Sequence, residues 1–241
     1  MSVALATHCH SRDLPRLHAP GVLEELVNCH NYPFDEVIIV HQRTGDMTFN
    51  YPFNIKDVRI IKIEEEDYSG ILSRFGMNPD DVGLASITHG WDWQWWWQHH
   101  CVNHLTEISE SKCDYIVFND ADCRIKSQPS SWVQKGIDLL NNHPEIFMIS
   151  PSDGGHDFIY KWSDETRLLQ MTSQQLFMLR TKDAKTLNFT NLQWDGKFID
   201  GGPFQEFYGL FEGWLYRYMK ANNLYRAILP EAWRYWHEEW H

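Results

Sequence analysis

No run of apolar residues in this chain is long enough to cross a bilayer, which takes about 20 in succession as a helix. The N-terminus has no basic stretch leading into a long apolar one, so no secretory signal is expected. Basic residues are the minority, 21 Lys and Arg against 33 Asp and Glu, for a formal net charge of -12. That balance excludes a general binder of nucleic acid or of anionic membrane surfaces. Cysteine is sparse and scattered. Cys9, Cys29, Cys101, Cys113 and Cys123 make an odd count, and no pair has metal-ligand spacing. Reduced thiols in a cytoplasmic protein are the expectation. No repeat, low-complexity tract or linker divides the 241 residues, so one domain over 1–241 is expected.

Aromatics, by contrast, are abundant: 12 Trp, 10 Tyr and 13 Phe. They suit a large core and equally suit stacking on sugars or bases. Short apolar runs alternate with helix-like segments. Ser2–Ala6 reads as a first strand, with Thr7–Asp13 as a polar loop. Leu14–Asn28 reads as a helix, Glu36–His41 and Val58–Ile63 as strands. Trp91–Ser109 reads as a helix leading into a strand over Tyr115–Asn119. Trp132–Asn142 reads as a helix, Glu145–Ser150 and Gln174–Arg180 as strands, Lys182–Leu187 as a short helix, and Phe207–Asn222 as an amphipathic one. Strands separated by helical or long polar segments predict an α/β fold: a mainly parallel, Rossmann-like central sheet flanked by helices.

The chemistry centres on Phe118-Asn119-Asp120-Ala121-Asp122, where a buried-strand pattern ends in two carboxylates one residue apart. Open α/β sheets bind ligands beyond the C-terminal ends of their strands. In an extended segment Asp120 and Asp122 point to one side. Two hard anionic oxygens there suit a divalent cation that also holds phosphate. Haloacid-dehalogenase phosphatases place two aspartates similarly, but Arg124 stands where they carry Thr or Val.

This stretch resembles the DxD motif of GT-A glycosyltransferases, especially family-2-like members. The resemblance covers most of the chain in order of elements, and short motifs in residues. It implies a GT-A fold in which 1–123 form the nucleotide-sugar-binding half and 124–241 the acceptor-binding half. It implies that Asp120 and Asp122 hold Mn²⁺ or Mg²⁺ on the diphosphate of a nucleotide sugar, with the late His237 as a third ligand. Imidazole among carboxylates favours Mn²⁺. Phe211-Glu212-Gly213-Trp214 resembles the acidic motif beside the acceptor, which makes Glu212 the general base of an inverting transfer. It departs from the usual adjacent Glu-Asp pair. The resemblance places Thr7, His8, Arg12, Asp67, Asn103 and Asp120 on the nucleotide-sugar side. His41-Gln42-Arg43 stands where family members often carry acidic residues.

The trp-rich Trp91–Trp97 segment spreads its indoles over two helix faces, one of which could line a groove. Gly154, Gly155 and Asp200–Pro203 could shape the acceptor side. The implied partners are a nucleotide-sugar donor and a hydroxyl acceptor: a glycan, a lipid-linked sugar or another hydroxyl. A modified nucleobase is disfavoured by the charge. Stable membrane insertion is not expected, and peripheral association stays open. Two alternatives stand beside this reading. A nucleotidyltransferase would share the sheet, although His8–Arg12 lacks the glycine-rich loop. A non-catalytic carbohydrate-binding protein would use the tryptophans as platforms.

Overall fold

The computed structural model describes residues 1–10, 14–42, 44–45, 55, 57–77, 93–126, 128–152, 160–163, 166–169, 175–192 and 211–237. Among these, strands β1 (Val3–His10), β2 (Glu36–Gln42), β3 (Val58–Ile63), β4 (Tyr115–Asn119), β6 (Ile146–Ser150), β7 (Tyr160–Ser163), β8 (Thr166–Leu169), β9 (Leu176–Arg180) and β10 (Tyr225–Ile228) form one sheet. Its order is β3-β2-β1-β4-β9-β6-β10-β8-β7. β1 pairs in parallel with β2 and β4, β2 with β3, and β6 with β10. β9 is inserted antiparallel between β4 and β6. β8 runs antiparallel to β10 and β7 to β8. Only β8 and β9 therefore oppose the common direction, and the expected mainly parallel sheet is present.

Both faces of the sheet are covered. Ala4, Ala6, Ile38, Val40, Ile116 and Phe118 belong to one buried cluster; Val3, Leu5, Val37, Ile39, Tyr115 and Val117 belong to the other. That two-sided burial explains why these strands read as continuous apolar runs. α3 (Tyr68–Arg74), α4 (Trp93–Glu110) and α7 (Phe211–Ala221) supply residues to the first cluster. α1 (Leu14–Leu17), α2 (Val22–Asn28) and α5 (Trp132–Asn142) supply the second. α6 (Thr181–Ala184) is a single turn after β9. A small separate ladder pairs β5 (Cys123–Ile125) with β11 (Tyr235–His237).

Several boundaries differ from expectation for local reasons. The helix expected over Leu14–Asn28 is two helices. Pro20 lacks a backbone donor, and Gly21 turns the chain at φ 85°, a left-handed conformation that glycine adopts without strain. β1 continues to His10, so Thr7 and His8 are strand residues and not loop. Its polar end is held by the register with β2, which runs to His10 opposite Gln42. α5 has the expected bounds: Ser131 Oγ accepts from Val133 N at 3.2 Å as its N-cap, and Pro144 follows its end. Among the described residues no helix is long and apolar enough to cross a membrane.

Candidate active site

β4 delivers the carboxylates. All five of its residues are buried, and its parallel pairing with β1 runs from Val3 opposite Tyr115 to Ala6 opposite Phe118. Two residues further along each strand lie His8 and Asp120. The segment after Asn119 is not extended as expected. Cys123 N donates to Asp120 O at 2.8 Å, closing a turn over Ala121 and Asp122. The turn forms because Asn119 Nδ2 donates to Asp120 O at 2.6 Å and to Cys123 O at 3.2 Å. From the other side Arg124 Nη1 donates to Ala121 O at 2.8 Å and Cys123 O at 3.0 Å. Short polar side chains that bond nearby backbone in this way favour turns over strand. The turn still brings the two carboxylates together: ligand atoms of Asp120, Asp122 and Cys123 lie within 4.8 Å of one another. Two carboxylates with partial exposure make a donor set suited to a hard divalent cation. Burial, together with the charges of Asp120 and Asp122, pushes the Cys123 thiol up, so it is a neutral neighbour of that pair.

β5 then pairs with β11, which sets His237 opposite Cys123, the residue after Asp122. The backbone thus brings the C-terminal segment to the carboxylate turn.

A second cluster lies beneath. Glu107 on α4 is fully buried, and its two oxygens accept from His8 Nδ1 and His104 Nδ1, each at 3.1 Å. His8 Nε2 in turn lies 3.6 Å from Asp120 Oδ1. Burial pulls the His8 imidazole down, but the charge and hydrogen bond of Glu107, with the charges of Asp120 and Asp122, outweigh it and raise it to about 9. Burial pushes Glu107 up, yet the His8 charge and the two histidine hydrogen bonds leave it below its ordinary value. Sequence reading did not find Glu107 or His104. The available signal was a His and a Glu three residues apart within an otherwise buried helical stretch.

The remaining candidates scatter in part. Thr7 is buried in β1. Asn103, buried on α4, donates from Nδ2 to Gln42 Oε1 at 3.3 Å, beside the end of β2. Asp67 Oδ2 accepts from Glu64 N at 3.0 Å in a capping box, so it serves a local turn after β3. Glu212 stands in the first turn of α7. Its neighbour Phe211 packs its ring 4.9 Å from the His104 ring, which ties the start of α7 to the Glu107 cluster. Arg12, Trp91, Gly154, Gly155 and 200–203 lie outside the described residues.

The histidines also give a pH prediction. His30 is buried, and its Nδ1 accepts from Trp132 Nε1 at 3.0 Å; burial lowers it to about 3. His18 and His41 face each other, Nε2 to Nε2, at 2.9 Å; burial lowers both, His41 to about 4 with help from His18 and Lys62. Depressed groups contribute stability that is present above the unfolded value near 6.5 and lost as pH falls toward the folded values. His8 has the opposite sign: its contribution is full below about 6.5 and is lost as pH rises through about 9. Between pH 7 and 5, His30 and His41 each remove about 2 kcal/mol and His8 restores under 1, a net loss of about 3 kcal/mol. Urea midpoints at the two pH values check this. A His41→Gln chain should lose less on acidification than the parent.

No protein-family model matches the chain, and no curated protein does. Solved structures similar in backbone include S. aureus TarS 1-349 in complex with UDP, at 13% identity and TM-score 0.48, covering 98% of this chain and 60% of that one. A second structure of S. aureus TarS 1-349 gives 12%, 0.47, 98% and 60%. The galactosyltransferase LgtC in complex with donor and acceptor sugar analogs gives 10%, 0.37, 76% and 59%. The chain spans about three fifths of the length of these chains.

Proposed function

We propose that the chain is a metal-dependent GT-A glycosyltransferase that moves a sugar from a nucleoside-diphosphate sugar to an acceptor hydroxyl. The observation that carries this is the convergence of Asp120 and Asp122 in a turn at the C-terminal end of β4, with β11 pairing His237 opposite Cys123. Asp120, Asp122 and His237 would hold Mn²⁺ or Mg²⁺. When bound, the cation offsets the negative charge that develops on the departing diphosphate. Thr7 and His8 on β1, Asn103 bonded to Gln42 at the end of β2, and Arg12, two residues after β1 in sequence, would serve the nucleotide. In this reading residues 1–123 serve the donor and 124–241 the acceptor, which is a glycan, a lipid-linked sugar or another hydroxyl-bearing compound.

Glu212 takes the proton of the attacking hydroxyl, and the single displacement inverts the anomeric centre. Supporting this reading, Glu212 stands in the first turn of α7, and the adjacent Phe211 packs on His104 of the Glu107 cluster. A Glu212→Gln chain should lose roughly 10²–10⁴-fold in kcat while Mn²⁺ affinity stays unchanged. Retention of near-full transfer removes Glu212 from the role. The reading as a whole is tested by thermal shift with a panel of nucleoside diphosphates. Stabilisation that needs both nucleotide and Mn²⁺ supports it. Equal stabilisation by a free oligosaccharide without metal points instead to a carbohydrate-binding protein.

A further inference from the structure

Apart from the place of His8 on the nucleotide side, the reaction as just described gives the His104–Glu107–His8 cluster no part, and the cluster is costly. Taking a carboxylate wholly out of water carries a penalty of several kcal/mol, and a well-packed apolar side chain often serves stability as well or better. We propose that His8 is a direct ligand of the Asp120–Asp122 cation, with Glu107 as the carboxylate that orients it and His104 as the brace that holds Glu107. This rests on the reading of the aspartate pair as a cation site.

Proton accounting gives the first argument. An ionised carboxylate only accepts hydrogen bonds. Both oxygens of Glu107 are taken, at 3.1 Å each, by His8 Nδ1 and His104 Nδ1. The proton of each ring is therefore pinned at Nδ1, and Nε2 is left as the coordinating nitrogen. A metal-bound imidazole that donates its other N–H to a carboxylate is the recurrent way proteins fix the tautomer and angle of such a ligand.

Distance gives the second. His8 Nε2 lies 3.6 Å from Asp120 Oδ1. Two donors about 2.1–2.2 Å from one cation sit roughly 3.0–3.6 Å apart, so both atoms fit one coordination shell. A bound cation takes the Nε2 lone pair, and a proton held there leaves to solvent. The third argument is placement. Parallel pairing of β1 with β4 sets His8 and Asp120 equally far beyond the last paired residues, Ala6 and Phe118. His104 differs from His8. Its ring is enclosed by Phe118, Phe177 and Phe211 at 5.4, 5.6 and 4.9 Å between centroids, so it is fixed against Glu107 and not offered to the site.

Mn²⁺ itself is the probe. Pulsed EPR of bound Mn²⁺ should show histidine-nitrogen coupling, identified by ¹⁵N-histidine labelling. That coupling should persist in His237→Gln, which leaves the buried cluster untouched, and vanish in His8→Gln/His237→Gln. His8→Gln alone should weaken Mn²⁺ binding about 10–100-fold by EPR titration. Loss of the coupling in His237→Gln alone, or unchanged Mn²⁺ affinity in His8→Gln, overturns the assignment. Absence of any Mn²⁺ binding overturns it together with the cation reading. Mn²⁺ held through a His8 nitrogen, with no nucleoside diphosphate tightening it, supports the ligand and overturns only the glycosyltransferase reading. Mn²⁺-dependent nucleotide binding with no His8 nitrogen does the reverse.

Discussion

Asp122→Asn should reduce kcat/KM for sugar transfer by at least roughly 10²–10³-fold and raise the Mn²⁺ concentration needed for half activity. The magnitude follows from removing one preorganised electrostatic partner of a developing charge, typically worth about 2.7–4 kcal/mol. Asn keeps the shape of Asp, and the turn that carries residue 122 is closed by Asn119, Arg124 and the bond from Cys123 N to Asp120 O. Those bonds are made by other groups and remain available in the Asp122→Asn chain, and an Asn side chain can still accept from the Cys123 thiol. Unchanged circular dichroism beside a lost Mn²⁺ response is the expected pair of results. An Asp138→Asn chain, altered on the outer side of α5, controls for loss of one negative charge. Equal activity in the Asp122 and Asp138 variants would remove the carboxylate turn from catalysis.

The largest stability effect is expected at Trp132. Its side chain is 1% exposed, and Nε1 donates to His30 Nδ1 at 3.0 Å. Around it, Ser131 Oγ donates to His30 O at 3.2 Å, and Asn31 Nδ2 donates to Gln128 O and Pro129 O at 2.9 and 3.1 Å. One indole therefore locks the start of α5 to the turn after α2. Trp132→Ala should cost about 3–5 kcal/mol through lost burial and the cavity left behind. Trp132→Phe fills most of that space but leaves a buried acceptor on His30, which costs about 1–3 kcal/mol. Urea unfolding at pH 7 measures both. A fall in midpoint at constant slope, larger for Ala than for Phe, is the expected order. The bond also links this region to acid sensitivity, because a proton on His30 Nδ1 removes the acceptor Trp132 uses.

Much of the sheet was legible because its strands are buried on two faces and so read as short apolar runs: Val58–Ile63 and Tyr115–Asn119 have the bounds their sequence suggests. α5 was legible from its N-cap serine and following proline. What the sequence hid was polar or long-range. β1 runs on through Thr7-His8-Cys9-His10 because β2 pairs with it, and no local propensity reports that partner. β5 and β11 are three residues each and exist only through one another. The carboxylate pair was found because it ends an apolar strand. Glu107 was not, since a single Glu on a helix ordinarily signals a solvated face and its two histidine partners meet it only in the folded chain.

The β5–β11 ladder bears on the order in which the molecule comes together. Residues 123–125 leave the ribosome roughly 110 residues before the strand that pairs with them, and such distant closures form late. The carboxylate turn can be shaped early by Asn119 and Arg124, while its companion strand is still unsynthesised. A nascent chain of this protein therefore carries the carboxylate turn through roughly 110 residues of synthesis before the strand that pairs beside it emerges.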